Sequence, residues 1–462
     1  MNDRIEKDSL GEKKIPAERY WGIHTQRALE NFSVTGQKVS PALIRSIAMV
    51  KKAACLANAG IDMIDEKISS AICQAAEEIM EGQWDQEFPL EALQGGAGTS
   101  TNMNVNEVIA NRALEILGFE KGRYEHIHPI EHVNKHQSTN DVYPTALKIT
   151  AINLLRILAA KIEVLQGAFQ QKEKEFAHIV KMGRTEMQEA VPMTMGSEFS
   201  AFAEAVARDR WRTFKCEERL RQVNIGGTAV GTGLSAPREY IFLVIEKLRG
   251  LSGLNICRGE NLVDQSANAD CFVEVSGILK AHAANLVKIA GDLRQLNLLN
   301  EIDLPQYQTG SSIMPGKINP VICEAVIQAG MRVFANDMVI AEGVSRGSLQ
   351  INEFLPLIAD ALINMIEMLI RVNEMFAEYV LQIAADERTA LTYVAGAKSI
   401  ITAFIPQTGY LRAEELLKEL EGRNEKNVRA FLDEKLGEEL VSKVLSCQNL
   451  TALGYRIEQG GK

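Results

Sequence analysis

No run of eighteen uncharged apolar residues occurs in this 462-residue sequence, which excludes an ordinary membrane-spanning helix. Positive charge is also scarce: 50 lysines and arginines stand against 60 aspartates and glutamates, a net charge of −10. With no basic stripe to neutralise phosphates, nucleic acid is not an expected partner, and any bound anion must be met by local cations. The seven cysteines, at 55, 73, 216, 257, 271, 323 and 447, are scattered, odd in number and free of Cys-x-x-Cys pairs. They read as reduced thiols. The opening segment MNDRIEKDSLGEKK is charged and lacks the apolar core of a secretory signal, so a soluble cytoplasmic protein is expected. His126, His128, His132 and His136 raise a zinc hypothesis, since the last three recur every fourth residue. Pro129 breaks that register and no carboxylate or thiolate motif completes a site, so no metal is assigned.

What the chain has in quantity is helical periodicity. Its length suffices for two or three domains and a large core. Tight turns are few after residue 140, and Leu147, Ile149, Ile152, Leu155, Leu158, Ile162 and Leu165 recur at spacings that predict a helix from 144 to about 175. Pro144 suits its first turn. Similar patterns run over about 197–223, 262–297, 320–343 and 352–384. Helices of about thirty residues, apolar on more than one face, must bundle with each other and with neighbouring subunits.

Two polar stretches interrupt the pattern. Residues 226–234, GGTAVGTGL, are rich in glycine but lack the lysine and hydroxyl that close a nucleotide loop. They read as a tight connection between helices, with Thr228 or Thr232 near a site. Residues 310–320, GSSIMPGKINP, are too punctuated by glycine and proline for a helix. Here Ser311 and Ser312 offer oxygens able to carry a proton, Lys317 offers a cation for a carboxylate, and the glycines let backbone N–H groups turn toward an anion. That is the composition of a mobile catalytic loop.

This loop resembles the signature of the fumarase/aspartase superfamily, and the likeness runs along nearly the whole chain. Residues 94–107 (QGGAGTSTNMNVNE), 132–144 (HVNKHQSTNDVYP), 181–193 (KMGRTEMQEAVPM) and 224–234 (NIGGTAVGTGL) match further family segments in the same order. With the ending SCQNLTALGY, they look closer to the ammonia-lyases than to the hydratases. The resemblance implies an all-α, three-domain fold: an N-terminal helical domain over 1–139, a central long-helix bundle over 140–388 carrying the loop, and a small helical domain over 389–462. It also implies a homotetramer with a twenty-helix core, in which each site gathers segments from three subunits.

The reaction so implied is reversible elimination of ammonia from L-aspartate to give fumarate, without a cofactor; activation by a divalent cation stays open. Such an elimination removes a weakly acidic proton beside a carboxylate, and the carbanion survives only as a doubly charged aci-carboxylate. Oriented donors in a dry pocket are each worth about 3 kcal/mol at such a transition state. By resemblance, Ser311 is the general base, and Lys317 with Asn319 holds the α-carboxylate. Thr99, Ser138, Thr139 and Ser312 hold the carboxylate that becomes the enediolate, while Asn140 and Thr185 contact the leaving group. Glu186 and Glu324 join the catalytic set.

Three positions depart from the family pattern. Glu186 stands where hydratases carry histidine, a sensible partner for an ammonium, although it can instead pair with Arg184 or a neighbouring subunit. His136 replaces the usual serine or cysteine, and residues 293–304 lack the usual Gly-Pro-Arg turn. Ala97, where hydratases usually have serine, points the same way as Glu186. The alternatives are a lyase for a substituted or related amino acid, a fumarate hydratase, and a silent structural protein like the lens crystallins of this superfamily. The last is disfavoured by the retained Ser311, Lys317 and Asn319.

Overall fold

The computed structural model describes residues 3–423 and 426–455. Its long elements are the helices Thr139–Glu175, Met195–Leu220, Asp270–Leu298, Val321–Ser345 and Leu355–Val380. Strands are short and pair only two by two among the described residues. The all-α expectation holds.

Two boundaries differ from the periodicity reading, each for a local reason. The first long helix begins at Thr139 because Ser138 and Asp141 form a reciprocal cap: Ser138 Oγ accepts the Asn140 N–H at 3.2 Å and Asp141 Oδ1 accepts the Ser138 N–H at 3.0 Å. Pro144 therefore lies inside the helix rather than at its start. Having no N–H, it leaves the Asn140 carbonyl without its helical donor, and the Asn224 amide fills that place at 2.9 Å. The expected helix over 262–297 is two helices, Leu262–Ala267 and Asp270–Leu298. Asn268 is extended between them, with its side chain donating back to Asp264 at 2.7 Å.

The chain gathers into two compact units. One holds Met1–Ala159, Trp211–Ala281 and Met331–Leu369; the other holds Ala160–Arg210, His282–Gly330 and Ile370–Lys462. Each of the five long helices contributes residues to both.

In the first unit an antiparallel hairpin, Asp3–Asp8 with Gly11–Pro16, precedes three packed helices, Pro41–Ala59, Glu66–Met80 and Thr99–Ile116. The first of these is capped by Ser40, starts on Pro41, and buries Leu43, Ile44, Ile47, Val50 and Ala54 on one face. Glu107, fully buried on the third, accepts the N–H groups of Gly22, His24 and Thr25 and the Thr25 hydroxyl at 2.7–3.2 Å. Burial pushes its carboxyl up to about 7.

In the second unit Phe169 is fully buried among Phe199, Phe202 and Phe376, with ring centroids 5.7–6.3 Å apart in tilted and edge-on pairs. Each ring so buried contributes about 1.5–3 kcal/mol. A hairpin of Val180–Thr185 and Gln188–Thr194 places Val180 and Met182 in one core with Ile400, Phe404, Leu416, Phe431 and Leu432 of the C-terminal helices. That core fixes the base of the hairpin.

Candidate active site

The expected site residues divide between the two units: Thr99, Ser138, Thr139 and Asn140 belong to the first, and Thr185, Glu186, Ser311, Ser312, Lys317, Asn319 and Glu324 to the second. Within the first unit, the segments that carry them are knit together. Thr99 opens its helix, and its hydroxyl donates to the Gly96 carbonyl at 2.8 Å. Gly98, just before it, has φ +92°, and any Cβ there would stand 2.3 Å from the Tyr143 ring. Only glycine lets the start of this helix lie against the helix that begins at Thr139.

At the start of that second helix, Asn140 and Asp141, next to Ser138 and Thr139, meet the glycine-rich stretch. Asp141 is fully buried, and its second carboxylate oxygen accepts the N–H groups of Gly226 at 3.1 Å and Thr228 at 2.9 Å. The Asn140 side-chain NH₂ donates to the Ala229 carbonyl at 2.7 Å. Thr228 spends its hydroxyl on the Leu234 carbonyl at 3.0 Å, whereas Thr232 is exposed. Lys51 is fully buried and donates to Asn134 Oδ1 at 2.7 Å. Burial pushes the Asp141 carboxyl up to about 7, against the three N–H groups and Lys51, and pushes Lys51 down to about 7 against the pull of Asp141.

The histidines are engaged locally. His128 Nδ1 accepts the Ile130 and Glu131 N–H groups across one turn of π-helix, Pro129–Val133, and His132 Nδ1 accepts the His128 N–H. His136, at φ +60°, pairs with Asn58 at 2.6 Å. Burial holds His128, His132 and His136 below their ordinary pKa, favouring neutral rings.

The second unit presents its residues differently. Thr185 ends one hairpin strand, and Glu186 and Met187 form a two-residue turn with φ +51° and +65°. Both are exposed. Arg184 does not turn to Glu186: its guanidinium donates to the buried Glu301 at 2.8 Å and lies over the Tyr393 ring at 5.0 Å. Glu301 also takes Lys181 at 3.1 Å. Glu186 has no partner among the described residues, so its carboxylate is free.

Residues 310–320 are irregular, as the composition predicts. The loop is pinched at its base, where the Gly310 N–H donates to the Lys317 carbonyl at 2.7 Å and Asn319 Nδ2 donates to the Gly310 carbonyl at 2.9 Å. Inside it, Ser311 Oγ accepts the N–H groups of Ile313 at 3.2 Å and Met314 at 2.9 Å. Ser312 and Lys317 are exposed. Glu324 lies in the first turn of Val321–Ser345, 3.7 Å from Arg294. No hydrogen bond or ion pair among the described residues joins Thr185, Glu186 or Glu324 to Ser311, Ser312, Lys317 or Asn319.

Asp141, Lys51 and Glu301 were not selected from the sequence as site residues. Only Asp141 carries a local signal, the Ser138-x-x-Asp141 spacing of a capping box ahead of an apolar run.

Two helices of the first unit that carry short polar donors at their starts, and a serine-, lysine- and asparagine-bearing loop in the second, are the parts expected of an all-α lyase. A family model described as lyase matches residues 11–335. The chain is 46% identical to an aspartate ammonia-lyase of Bacillus sp over 422 residues, covering 90% of each, and 39% identical to that of Escherichia coli over 469 residues, covering 99% of this chain and 98% of that one. Among solved structures, a fumarate lyase:delta crystallin from Brucella melitensis bound to cobalt superposes with a TM-score of 0.93 at 41% identity, covering 97% of this chain and 99% of that one. A class II fumarase from Schistosoma mansoni gives 0.90 at 31% identity, covering 96% and 98%. The chain belongs to the fumarase/aspartase superfamily of lyases.

Proposed function

We propose that the protein is an aspartate ammonia-lyase, converting L-aspartate reversibly to fumarate and ammonia. The relatives at 39–46% identity that bear this name support the reaction. The observation that carries the mechanism is the pair of backbone N–H groups aimed at Ser311 Oγ. Two such donors are what an alkoxide needs. Charge-assisted hydrogen bonds are worth about 1.5–3 kcal/mol each, so two lower a hydroxyl pKa by roughly two to four units, and the remainder falls to Lys317.

In this reading the Ser311 alkoxide takes the Cβ proton, and the electron pair moves into the adjacent carboxylate to give the aci-carboxylate. Thr99, Ser138, Thr139 and Ser312 donate to that group, while Lys317 and Asn319 hold the other carboxylate. The pair then returns to form the double bond as the Cα–N bond breaks and ammonia leaves beside Asn140, Thr185 and Glu186. Glu324, at the start of the helix after the loop, completes the catalytic set. No cofactor takes part.

The site is completed in a cytoplasmic homotetramer, with segments from three subunits. Exposed apolar side chains on the long helices support assembly: Trp211, Phe214, Met331 and Met338 are 59–65% exposed.

Incubation with fumarate plus ammonium, and separately with fumarate alone, tests the reaction. Aspartate in the first tube only is expected, whereas malate in the second would establish a hydratase. The unpartnered Glu186 and the unusual His136 favour one second reading, a lyase for a substituted or related amino acid. Faster deamination of an N- or C-substituted aspartate than of aspartate itself would select it.

A further inference from the structure

The glycine-rich stretch at 226–229 has the geometry of an anion nest, and the protein fills it with its own carboxylate. Gly226 has φ +88° and Thr228 has φ +57°, and their N–H groups converge on one oxygen of Asp141. The other oxygen closes the cap at Ser138. A cap alone needs a single acceptor, so the buried carboxyl group does more than start a helix.

The consequence appears at the neighbouring residue of each segment, Asn140 before Asp141 and Ala229 after Thr228. With the nest anchored at Thr228, the Ala229 carbonyl faces Asn140, and a carbonyl accepts only from the NH₂ end of an amide. The orientation of the Asn140 amide is thereby decided, and its oxygen, which takes no hydrogen bond among the described residues, is the end left for a ligand. An ammonium offers donors and no acceptor, so an amide turned this way accepts from it; the reverse orientation would repel it.

We infer that Asp141 is a positioning residue for the amine: by occupying the 226–228 nest it holds the Ala229 carbonyl against Asn140 and so presents the Asn140 oxygen to the substrate ammonium. The kinetic part of this inference rests on the ammonia-lyase reading; the structural part does not.

The experiment is a double-mutant cycle with Asp141→Asn and Asn140→Ala, read as kcat/KM for aspartate and as inhibition by succinate, which lacks the amine. Asp141→Asn is expected to lower kcat/KM at least 30-fold, and the double variant to be no more than about 3-fold worse than Asn140→Ala, because both act through one contact. Succinate inhibition should change far less than kcat/KM. Multiplying effects, or a kcat/KM for Asp141→Asn within 3-fold of wild type, would overturn the inference.

Should Asp141→Asn fail to fold, Ala229→Gly decides: it sits on an exposed residue and loosens the same carbonyl. A 3- to 10-fold loss with aspartate and unchanged succinate inhibition supports the inference, and wild-type kinetics overturns it. A wild-type enzyme inactive on aspartate would sink the reaction and not the positioning. A crystal structure of Asp141→Asn or Ala229→Gly then gives the answer independently, since an Asn140 amide still donating to the residue 229 carbonyl within 3.2 Å would refute it.

Discussion

The segment around Ser138 and the loop around Ser311 are both rich in short donors, yet they are held in opposite ways. Ser138, Thr139 and Asn140 start a long helix and are tied by a buried carboxylate and two asparagine amides to a chain segment about 85 residues away. Ser311, Ser312 and Lys317 belong to a loop closed, among the described residues, by hydrogen bonds at its own base, with Ile313 84% exposed and Ser312 and Lys317 also exposed. The first region is fixed by partners distant in the chain; the second is arranged by its own turn. In the proposed mechanism substrate recognition and proton transfer therefore draw on different energies, the one on buried hydrogen bonds and the other on closure of the loop over a bound dianion.

The contrast is most exposed at Ser311. Ser311→Ala should lower kcat by roughly 10²- to 10⁴-fold while leaving secondary structure and assembly intact, because the residue supports nothing beyond its own turn. Steady-state rates together with circular dichroism check this; near-normal turnover would move the base elsewhere. Lys317→Met should weaken succinate inhibition by roughly 10- to 100-fold, the worth of a charge-assisted hydrogen bond. An unchanged inhibition constant would take Lys317 out of the carboxylate pocket.

Glu186 lies at an exposed tip, so its effect should be smaller. Glu186→Gln is expected to raise KM for aspartate by roughly two- to five-fold, more than it lowers kcat, as for an exposed charge pair. Equal loss in both would mean that the carboxylate acts in the transition state.

The first unit's buried carboxylates give a test on stability. Glu107 holds its proton more tightly folded than unfolded, since burial raises its pKa from 4.5 to about 7. Its contribution is present below pH 4.5 and lost as the pH rises to about 7, with a slope of about 1.4 kcal/mol per pH unit in that window. Urea midpoints of Glu107→Gln should therefore depend less on pH between 4.5 and 7 than those of the wild type; a steeper dependence would reverse the assignment. A smaller effect on stability is expected at the hairpin turn, where Met187 sits at φ +65°. Met187→Gly should stabilise the protein by about 1 kcal/mol, read as a higher Tm.

Much of this was legible in the sequence, and the exceptions share a cause. The helices were readable because apolar residues repeat at helical spacing, and the polar segments because their residues stand in a familiar order. The start at Thr139 was missed because Pro144 looked like a helix opener, whereas the Asn224 amide, donating to the Asn140 carbonyl 84 residues away, makes that proline tolerable. The break at Asn268 was missed because the apolar pattern continues through it. The glycine-rich stretch looked like a plain connection because the anion that fills its nest comes from a distant part of the chain, and the Arg184–Glu301 pair spans 117 residues. Local pattern reports local structure; partners chosen across the fold leave no mark in either neighbourhood.

The allocation of residues to the two units has a consequence for synthesis. The first unit begins at Met1 but is not complete until Leu369, and the second begins at Ala160 and runs to the end. The helices Pro41–Ala59, Glu66–Met80 and Thr99–Ile116 can pack on one another early, but a ribosome adding about 5–20 residues per second takes roughly 10–40 s to travel from Ala160 to Leu369, and until then the first unit lacks its last segment. The nascent chain carries an incomplete unit over that interval, so production of this protein should depend on holding chaperones more than its regular helices would lead one to expect.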